Sequence, residues 1–405
     1  MTRARAYALV AAACALPRLA VLALERGEIM ASFTEKSDQI AETFVESGTF
    51  GFLPDVPTAY TQPLYALFLS PLYALVGRSW LAVGVAQTLV AVATAILVYE
   101  LGRRVASKRV GLVGALLATL HPYVVWHDVH VNREVLDGLL AVSLALLVVV
   151  LAERRSWRLA AALGVVAGLA ILGNARLLVL PAVLVLYLGW RWLDARATLR
   201  AGAIVGVAAA LSIAPWVIRN EVQVGCYAIT TDSRALWKAN NPNTYETLAR
   251  GLWIDDVPEL PGAPPSPELA AALALDRGRP FPVDECAQMR LYQEEVTEFW
   301  REQPGEKARL AGQATVMLWN PFERAGESAN DDEGLSGAAR GWVEPLYMSV
   351  LYLLALGGAF FAGRRFTALA VLLLGYQTFA AMVFAGTPRY RAPWDFVVAV
   401  LAALA

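Results

Sequence analysis

Residues 35–77 read EKSDQIAETFVESGTFGFLPDVPTAYTQPLYALFLSPLYALVG, an acidic stretch followed directly by an apolar one. This stretch separates the first apolar segment of the chain from all the later ones. Charged side chains are costly near lipid, so acids that collect between apolar segments indicate a functional site. The apolar part, Leu64–Val76, has only 13 residues. Whether it crosses a membrane decides the topology of the chain.

The composition predicts an all-α polytopic membrane protein. Of the 405 residues, 57% are hydrophobic and 17% are charged, and the mean hydropathy is +0.48. Soluble domains have about 25% charged residues, whereas here apolar runs of about 20 residues, long enough to cross a bilayer, recur along the chain. The basic start MTRAR and the run after it are interpreted as a retained first span, because Arg18 interrupts the run and no small-residue cleavage site follows. Membrane lipids are the expected surroundings, and no nucleic-acid partner is expected.

About ten transmembrane helices are predicted from these runs. They cover Ala6–Leu24, Trp80–Leu101, Val110–His127, Arg133–Ala152, Trp157–Gly173, Leu177–Trp192, Ala201–Ile218, Val343–Ala362, Phe366–Gly386 and Ala392–Ala405. Basic loops stay in the cytoplasm, and with the N-terminus there, alternation puts every strongly basic short loop on that side. If Leu64–Val76 also crossed, the basic loops before residue 219 would lie outside. We therefore predict a juxtamembrane or re-entrant helix at Leu64–Val76 and a first loop on the outer face.

This topology divides the chain into three parts. Residues 1–218 form an N-terminal transmembrane module with the first outer loop at 25–79, residues 219–342 an outer (periplasmic or extracellular) segment, and residues 343–405 the C-terminal transmembrane helices. Between residues 220 and 342 there are 20 acids and 11 basic residues, a net charge of −9, which is too polar to cross. This segment contains a predicted helix, Asp284–Gln303. An oxidising compartment would allow Cys226 and Cys286 to pair, which the sequence leaves open.

A short helix is predicted within the first loop. Thr34 or Ser37 is a suitable N-cap, and Gly48 is a suitable end. Asp38 and Glu42 are four residues apart, so they share one helix face. A carboxylate on such a face is able to accept a proton from a hydroxyl or to hold a cation. An amphipathic surface helix with solvated acids is the alternative interpretation.

The order of these features resembles the GT-C superfamily of membrane glycosyltransferases. The resemblance is to the branch of protein O-mannosyltransferases and the lipid A aminoarabinose transferase (glycosyltransferase family 39-like). The shared pattern is an acidic first loop, then Gly48, then TQPLYALFLSPLYALVG, although Gln39 stands where many members have a second acid. Further similar segments are VNREVLDGLL, GLAILGNARLLVLP, RNEVQVGCYAITTDSRALWKANNPNTYE, and PRYRAP before the last span.

The resemblance implies transfer of a sugar carried on a polyprenyl phosphate or diphosphate, with Asp38 as the expected base or acceptor-positioning group. The departing phosphate needs preorganised positive charge. Arginine suits this task because its planar fork holds two phosphate oxygens. The candidates are Arg176, Arg389 and Arg391 at outer span ends. Snorkelling toward lipid headgroups is the alternative for these arginines, and the favoured interpretation for Arg18 within the first span.

Other polar residues are expected near the acceptor or the sugar. They are Glu42, Glu134, Tyr60, Asn240 and Asn241. For the two asparagines, capping of the turn at Pro242 is the alternative.

A divalent metal ion is the one cofactor considered. All three histidines fall in one predicted outer turn, and His127, His130 and Glu134 would be its ligands. The spacing matches no known metal motif, so packing of polar groups at the membrane interface is the favoured interpretation and a metal site is the alternative.

The sequence therefore predicts a glycosyltransferase in the cell (inner) membrane, with the N-terminus cytoplasmic and the large loop outside. It would move a hexosyl or pentosyl group from a polyprenyl phosphate-type donor to a glycan, lipid or protein acceptor on the outer face. One alternative is a transporter or flippase of lipid-linked sugars, which would favour ionisable residues within spans and broken helices. The other is a non-catalytic polysaccharide-assembly subunit, in which the outer acids would be replaceable.

Overall fold

The computed structural model describes residues 2–31, 36–278, 283–323 and 339–405. These residues form helices and connecting loops, with an isolated antiparallel bridge between Leu53 and Val56. The described α-helices are α1 (Arg3–Glu25), α2 (Lys36–Ser47), α3 (Pro63–Val76), α4 (Trp80–Val105), α5 (Lys108–Thr119), α6 (Pro122–His127), α7 (Glu134–Arg154), α8 (Trp157–Gly173), α9 (Leu180–Trp192), α10 (Ala195–Gln223), α11 (Ser233–Lys238), α12 (Thr244–Ala249), α13 (Pro267–Arg277), α14 (Glu285–Glu302), α15 (Pro304–Trp319), α16 (Glu344–Phe361), α17 (Arg364–Val383), α18 (Pro388–Arg391) and α19 (Asp395–Ala402).

Seven of the described helical segments are long and apolar enough to cross a membrane. They are Arg3–Met30, Trp80–Val105, Glu134–Arg154, Ala175–Trp192, Ala195–Gln223, Gly341–Phe361 and Arg364–Val383. Two shorter apolar helices, α3 and α8, have 14 and 17 residues. The prediction of an all-helical, multi-pass membrane protein is confirmed.

Three predicted spans differ from the observed helices. The span Val110–His127 is split into α5 and α6, because Pro122 has no N–H to continue α5 and instead begins a new helix. The last predicted span, Ala392–Ala405, is α-helical only over Asp395–Ala402, after a 3₁₀ turn that contains a proline. In contrast, α10 continues beyond the predicted span to Gln223.

The basic helix ends gather at one end of the bundle. Arg104 at the end of α4 lies 3.3 Å from Glu153 at the end of α7. Arg155 lies 3.4 Å from Asp194, which joins the two loops that follow α7 and α9. The loops that the topology assigned to one side are therefore in contact with each other. The side of the membrane that this end faces stays a prediction.

The first loop contains two helices, α2 and α3, that pack against each other. The predicted helix is α2, and Gly48 ends it with a φ of 76°, a conformation that favours glycine. Ser37 lies inside this helix and not at its N-cap, while Thr34 lies outside the described residues. Ile40 of α2 and Leu69 of α3 belong to one buried apolar cluster. The amphipathic face of α2 is therefore covered by α3.

Glu285 at the start of α14 holds the first loop against the outer segment. Its buried carboxylate accepts hydrogen bonds from the Thr58 hydroxyl, from the Ala59 N–H at 3.0 Å and from the Thr231 hydroxyl at 2.8 Å. From the other side, an Nη1 of Arg219 donates to the Thr58 carbonyl at 2.6 Å. Buried, fully bonded charges of this kind fix the groups around them.

A disulfide closes the same junction. Cys226 and Cys286 are bonded, so the pairing that the sequence left open is present. The bond joins the loop after α10 to the first turn of α14. That helix itself runs Glu285–Glu302, with Asp284 as its N-cap, which confirms the predicted helix Asp284–Gln303.

Candidate active site

Asp38 makes buried polar contacts between α2 and the end of α3. The Nη2 of Arg78 donates to its Oδ2 at 2.6 Å, and the Tyr73 hydroxyl donates to its Oδ1. The same Arg78 also donates to the Met30 carbonyl at 2.9 Å. Gly77 has a φ of 72°, and this turn at the end of α3 carries Arg78 back toward α2. The carboxylate is thus held in one orientation and is only 4% exposed.

Glu42 is exposed although it lies one helical turn from Asp38. Tyr73 and Arg78 cover the first turn of α2, and Glu42 acts on both of them electrostatically from the next turn. Gln39, in the place of the second acid found in many GT-C members, donates to the Phe52 carbonyl at 3.1 Å. The shared face predicted for Asp38 and Glu42 therefore has one buried acid and one solvated acid.

A second group of charges surrounds the start of α7. The Nε of Arg389 donates to Glu134 Oε1 at 2.5 Å, and the Nε of Arg133 lies 3.8 Å from the same oxygen. One turn along α7, Asp137 accepts a hydrogen bond from Asn174 Nδ2 at 3.3 Å. The turn before α9 and the turn before α19 are thereby brought to one place, at the end of the bundle away from the basic loops.

Arg176 joins this group through Asn174. Its Nε donates to Asn174 Oδ1 at 3.1 Å, and its guanidinium carbon lies 3.5 Å from the centre of the Tyr390 ring. The Tyr376 hydroxyl donates to the Arg176 carbonyl at 2.6 Å, which fixes the backbone of the turn. A guanidinium on an aromatic face keeps its in-plane donors available to an anion.

We call Arg133, Arg176 and Arg389, together with Glu134 and Asp137, the arginine cluster. Three guanidinium groups face two carboxylates, so the cluster keeps one positive charge in excess. The Arg133 side chain is 15% exposed and the Arg389 side chain 21% exposed, so the charges are sheltered and still reachable.

Tyr65 of α3 connects the two acidic places. It is buried, its hydroxyl donates to Gln87 Oε1 at 2.6 Å, and both Asp38 and Glu134 act on it electrostatically. The first-loop acid and the arginine cluster are therefore neighbours across α3. The roles predicted for Asp38, Glu134, Arg176 and Arg389 stay predictions.

The structure does not bring Arg391 to the cluster. Its Nε donates to Asp395 Oδ1 at 3.1 Å and its Nη1 to the Leu318 carbonyl at 2.8 Å. Because Arg391 is two residues from Arg389 in a helical turn, its side chain points to the other side of α18. Its buried position, 1% exposed, makes it a brace between α15 and α19.

The favoured interpretation of Arg18 as a snorkelling side chain is wrong. Arg18 is 1% exposed, and its Nη2 lies 2.6 Å from Oδ2 of Asp128. Its Nη1 also donates to the Cys14 and Thr119 carbonyls, both at 3.0 Å. The positive charge is neutralised inside the bundle, so it has no need to reach the headgroups.

The histidine turn does not form the metal site that the sequence left as an alternative. The Nδ1 of His130 lies 2.8 Å from the Trp126 carbonyl oxygen, and its ring is stacked on the Trp126 indole. The His127 ring is stacked on Tyr123 with centres 3.8 Å apart. Aromatic packing thus orients both imidazoles. Within residues 2–31, 36–278, 283–323 and 339–405, no group of three His, Cys, Asp or Glu side chains is arranged to hold a metal, and this includes His127, His130 and Glu134.

The two asparagines are engaged by the protein itself. The Oδ1 of Asn240 accepts hydrogen bonds from Trp300 Nε1 at 2.9 Å and from Lys307 Nζ at 2.5 Å, and its Nδ2 donates to the Val383 carbonyl at 3.0 Å. Asn241 caps its own turn by donating to the helix before it. Both side chains are buried: Asn241 fits the alternative of turn capping, whereas Asn240 connects the outer segment to the end of α17.

Tyr60 is buried at the junction of the first loop with the outer segment. Its carbonyl accepts a hydrogen bond from the Thr230 hydroxyl at 2.9 Å, and Lys36 Nζ lies 4.7 Å from its ring centre. Burial, assisted by the nearby Asp232, raises the pKa of the Tyr60 hydroxyl. The hydroxyl therefore stays protonated at neutral pH.

Sequence reasoning missed several members of the site. Arg133 directly precedes Glu134, which the sequence had already indicated as a site residue, and Asp137 lies about one turn after Glu134 on the same helix. Arg78 directly follows Gly77, and a glycine that ends a helix changes the chain direction. These local signals were present, but none shows which distant carboxylate each arginine meets.

The fold and these contacts define a multi-pass helical membrane protein with an acid-bearing first loop and a cationic cluster at one end of its bundle. Residues 55–218 match the family model described as dolichyl-phosphate-mannose-protein mannosyltransferase. No curated protein matches the chain significantly.

Solved structures are similar to the chain as well. The chain is similar to the Archaeoglobus fulgidus oligosaccharyltransferase AglB in complex with an inhibitory peptide and a dolichol-phosphate, with a TM-score of 0.54, 13% identity, and coverage of 98% of this chain and 50% of that chain. It is also similar to the A. fulgidus oligosaccharyltransferase in complex with Zn and sulfate (TM-score 0.53, 13% identity, 98% and 48% coverage). For ArnT from Cupriavidus metallidurans bound to undecaprenyl phosphate, the TM-score is 0.46 at 14% identity, with 96% and 76% coverage.

The chain spans about half the length of the oligosaccharyltransferase chains it matches. At these identities the structural likeness establishes the fold. Together with the family match, it confirms the resemblance to the GT-C membrane glycosyltransferases.

Proposed function

We propose that the chain is a glycosyltransferase that moves a hexosyl or pentosyl group from a polyprenyl phosphate-type donor to a hydroxyl acceptor on the outer face of the cell membrane. The observation that carries the proposal is that Arg133 and Arg389 both approach Glu134 while Arg176 is held beside them by Asn174, which itself bonds Asp137, so three guanidinium groups surround two carboxylates. Such preorganised charge stabilises a leaving phosphate. Further support comes from the oligosaccharyltransferase of the same fold, which was solved with dolichol-phosphate.

The donor's lipid chain has a surface beside this charge. Leu178 and Val179 follow Arg176 after the buried Leu177, and they are 57% and 55% exposed just before α9. A polyprenyl chain on these residues would lie in the membrane while its phosphate meets Arg176. The guanidinium, supported by Tyr390, would then present its fork to two phosphate oxygens.

In the proposed step, the oxygen of the acceptor hydroxyl forms a bond to the anomeric carbon. The bond from that carbon to the phosphate oxygen breaks, and its electron pair stays on the phosphate, where the arginine cluster stabilises the added charge. The hydroxyl proton passes to a carboxylate, and Asp38 is our choice because its orientation is fixed by Arg78 and Tyr73. Water is not required as a reactant.

Glu134 is the second candidate for the proton. Its Oε1 receives Arg389, whereas no described residue donates a hydrogen bond to the buried Oε2. An oxygen of this kind is open to a substrate hydroxyl. Asp38 and Glu134 therefore differ in a testable way, because only one of them accepts the proton and the other positions its neighbours.

The test combines a null strain with matched variants. Mass spectrometry of extracted lipids should show a polyprenyl-linked sugar that accumulates without the protein and disappears when it is restored. Asp38→Asn should leave the accumulation in place, whereas Glu46→Gln, a change at an exposed acid of the same helix, should remove it. Clearance by Asp38→Asn at the wild-type rate, with the protein present at equal level, would sink the role of Asp38. Glu134→Gln in the same assay decides between the two acids.

Donor binding is tested separately with purified protein. Undecaprenyl phosphate and dolichol phosphate, added to the full chain in nanodiscs, should bind the wild type and bind Arg176→Gln at least tenfold more weakly. Equal affinity of both proteins would contradict the donor site whatever the result for Asp38.

A further inference from the structure

Four arginines line a cavity at the basic end of the bundle, away from the proposed active site. The cavity has a volume of about 360 Å³ and lies between the ends of α4, α7 and α9 and the start of α17. Its arginines are Arg104, Arg191, Arg364 and Arg365. Among the described residues that line it, Glu153 is the one acid. The lining therefore carries a net charge of +3.

The protein itself neutralises only part of this charge. Glu153 lies 3.3 Å from Arg104, which accounts for one guanidinium. In the described part of the chain, no carboxylate pairs with Arg191, Arg364 or Arg365, and the buried Nε of Arg191 has no hydrogen-bond acceptor. A buried donor without an acceptor costs free energy unless a ligand or water satisfies it.

The start of α17 adds to the excess of positive charge. Arg364 and Arg365 are the first two residues of α17, whose N-terminal N–H groups have no side-chain cap. Positive side chains are unfavourable at a helix N-terminus, whereas an anion there is favourable. An anion in the cavity would meet both the guanidinium groups and the start of α17.

The cavity has an apolar side as well. Val105, Val149 and Phe366 line it beside the arginines. Two exposed aromatic residues neighbour lining residues in the sequence: Phe361, two residues before Gly363, is 73% exposed, and Trp190, next to Arg191, is 50% exposed. Exposed aromatic side chains at helix ends are typical of the membrane interface. This combination fits a phosphate that is attached to acyl chains better than a soluble anion.

We propose that this cavity binds the headgroup phosphate of an anionic phospholipid from the leaflet at the basic end of the bundle. The lipid bridges α4, α9 and α17, so it stabilises the packing of the N-terminal helices against α17. The site is separate from the proposed sugar transfer, and its occupation does not depend on a sugar donor. Basic pockets between transmembrane helices are suited to such headgroups.

The experiment uses the full chain, delipidated in detergent and titrated with phosphatidylglycerol or phosphatidylcholine while bound lipid is counted by native mass spectrometry. Phosphatidylglycerol should bind the wild type more tightly. Arg191→Gln with Arg365→Gln should weaken that binding roughly 30-fold, from the contribution of two arginines. The matched control is Arg200→Gln, an exposed arginine at the same end outside the cavity, which should bind as the wild type does.

Equal binding of the two lipids by the wild type, or equal loss in the Arg200→Gln control, would overturn the proposal. Displacement of the lipid by millimolar inorganic phosphate would show that the cavity takes a soluble anion instead. If the double variant is not recovered folded, the wild type decides: phosphatidylglycerol should raise its melting temperature and phosphatidylcholine should not. An equal effect of both lipids would again refute the inference.

Discussion

The ion pair between Arg18 and Asp128 gives the sharpest test of the transmembrane packing. The two side chains are joined twice, by Nη2–Oδ2 at 2.6 Å and Nε–Oδ2 at 2.8 Å, and both are almost fully buried. The pair connects α1 with the residue that follows α6. Replacement of Arg18 by Gln removes one charge and leaves the other inside the bundle.

The expected loss follows from this geometry. Charges about 4 Å apart attract by about 4 kcal/mol at an effective dielectric constant of 20. Removal of one partner from a buried pair costs about 3–5 kcal/mol, because the remaining charge has no counterion. The second change, Asp128→Asn, removes that charge. The double variant should therefore be only about 1–2 kcal/mol less stable than the wild type, which is the cost of the hydrogen bonds.

The assay is unfolding by SDS titration in mixed micelles for the wild type, Arg18→Gln, Asp128→Asn and the double variant. Each single loss should exceed the loss of the double variant, so the two single losses together should exceed it by at least about 4 kcal/mol, which is the coupling energy of the pair. Arg5→Gln, at an exposed arginine of the same helix, is the control and should have no effect. Losses that simply add, or an Arg18→Gln protein as stable as the control, would show that Arg18 does not depend on Asp128.

Three further predictions concern the disulfide, the arginine cluster and the histidine turn. Cys226→Ser removes the disulfide to Cys286, 60 positions away, and should lower the free energy of unfolding by about 4 kcal/mol through chain entropy. A reductant should lower the melting temperature of the wild type to that of the variant, and an unchanged melting temperature would contradict the disulfide. Arg389→Gln removes the closest donor to Glu134 and should reduce turnover about 10²–10³-fold. Arg389→Lys should retain more turnover, and equal turnover of the two variants would argue against a guanidinium at the phosphate. Chelation should leave turnover unchanged, because His130 is turned toward a carbonyl; a loss that one divalent ion restores would show that a metal set forms around the substrate.

The helical architecture followed from hydropathy because membrane spans carry a strong local signal. Apolar runs, their lengths and the bias of Arg and Lys in the loops are all properties of short stretches of sequence. The same local rules found α2, its end at Gly48 and the helix α14. They failed at Pro122, where an apolar run continued but the backbone hydrogen bonds did not.

The site was harder to predict because its partners are far apart in the chain. Arg389 and Arg391 are two residues apart and equally basic, yet one meets Glu134 and the other Asp395. The difference depends on which helix packs on each side of α18. Arg18 presents the same difficulty, since its counterion lies 110 positions away.

The contacts of the first loop change how its acid should be understood. The loop is held at two places, at Asp38 by Arg78 of the same loop, and at Thr58 and Ala59 by Arg219 and Glu285. A loop fixed at these places loses little entropy when a substrate binds. An oriented carboxylate then needs no rearrangement before it accepts a proton. Arg78→Gln should therefore lower turnover even though Asp38 is intact. If the pair of Asp38 and Arg78 were only structural, loss of Arg78 would affect stability alone, and a measured kcat equal to that of the wild type would decide for that interpretation.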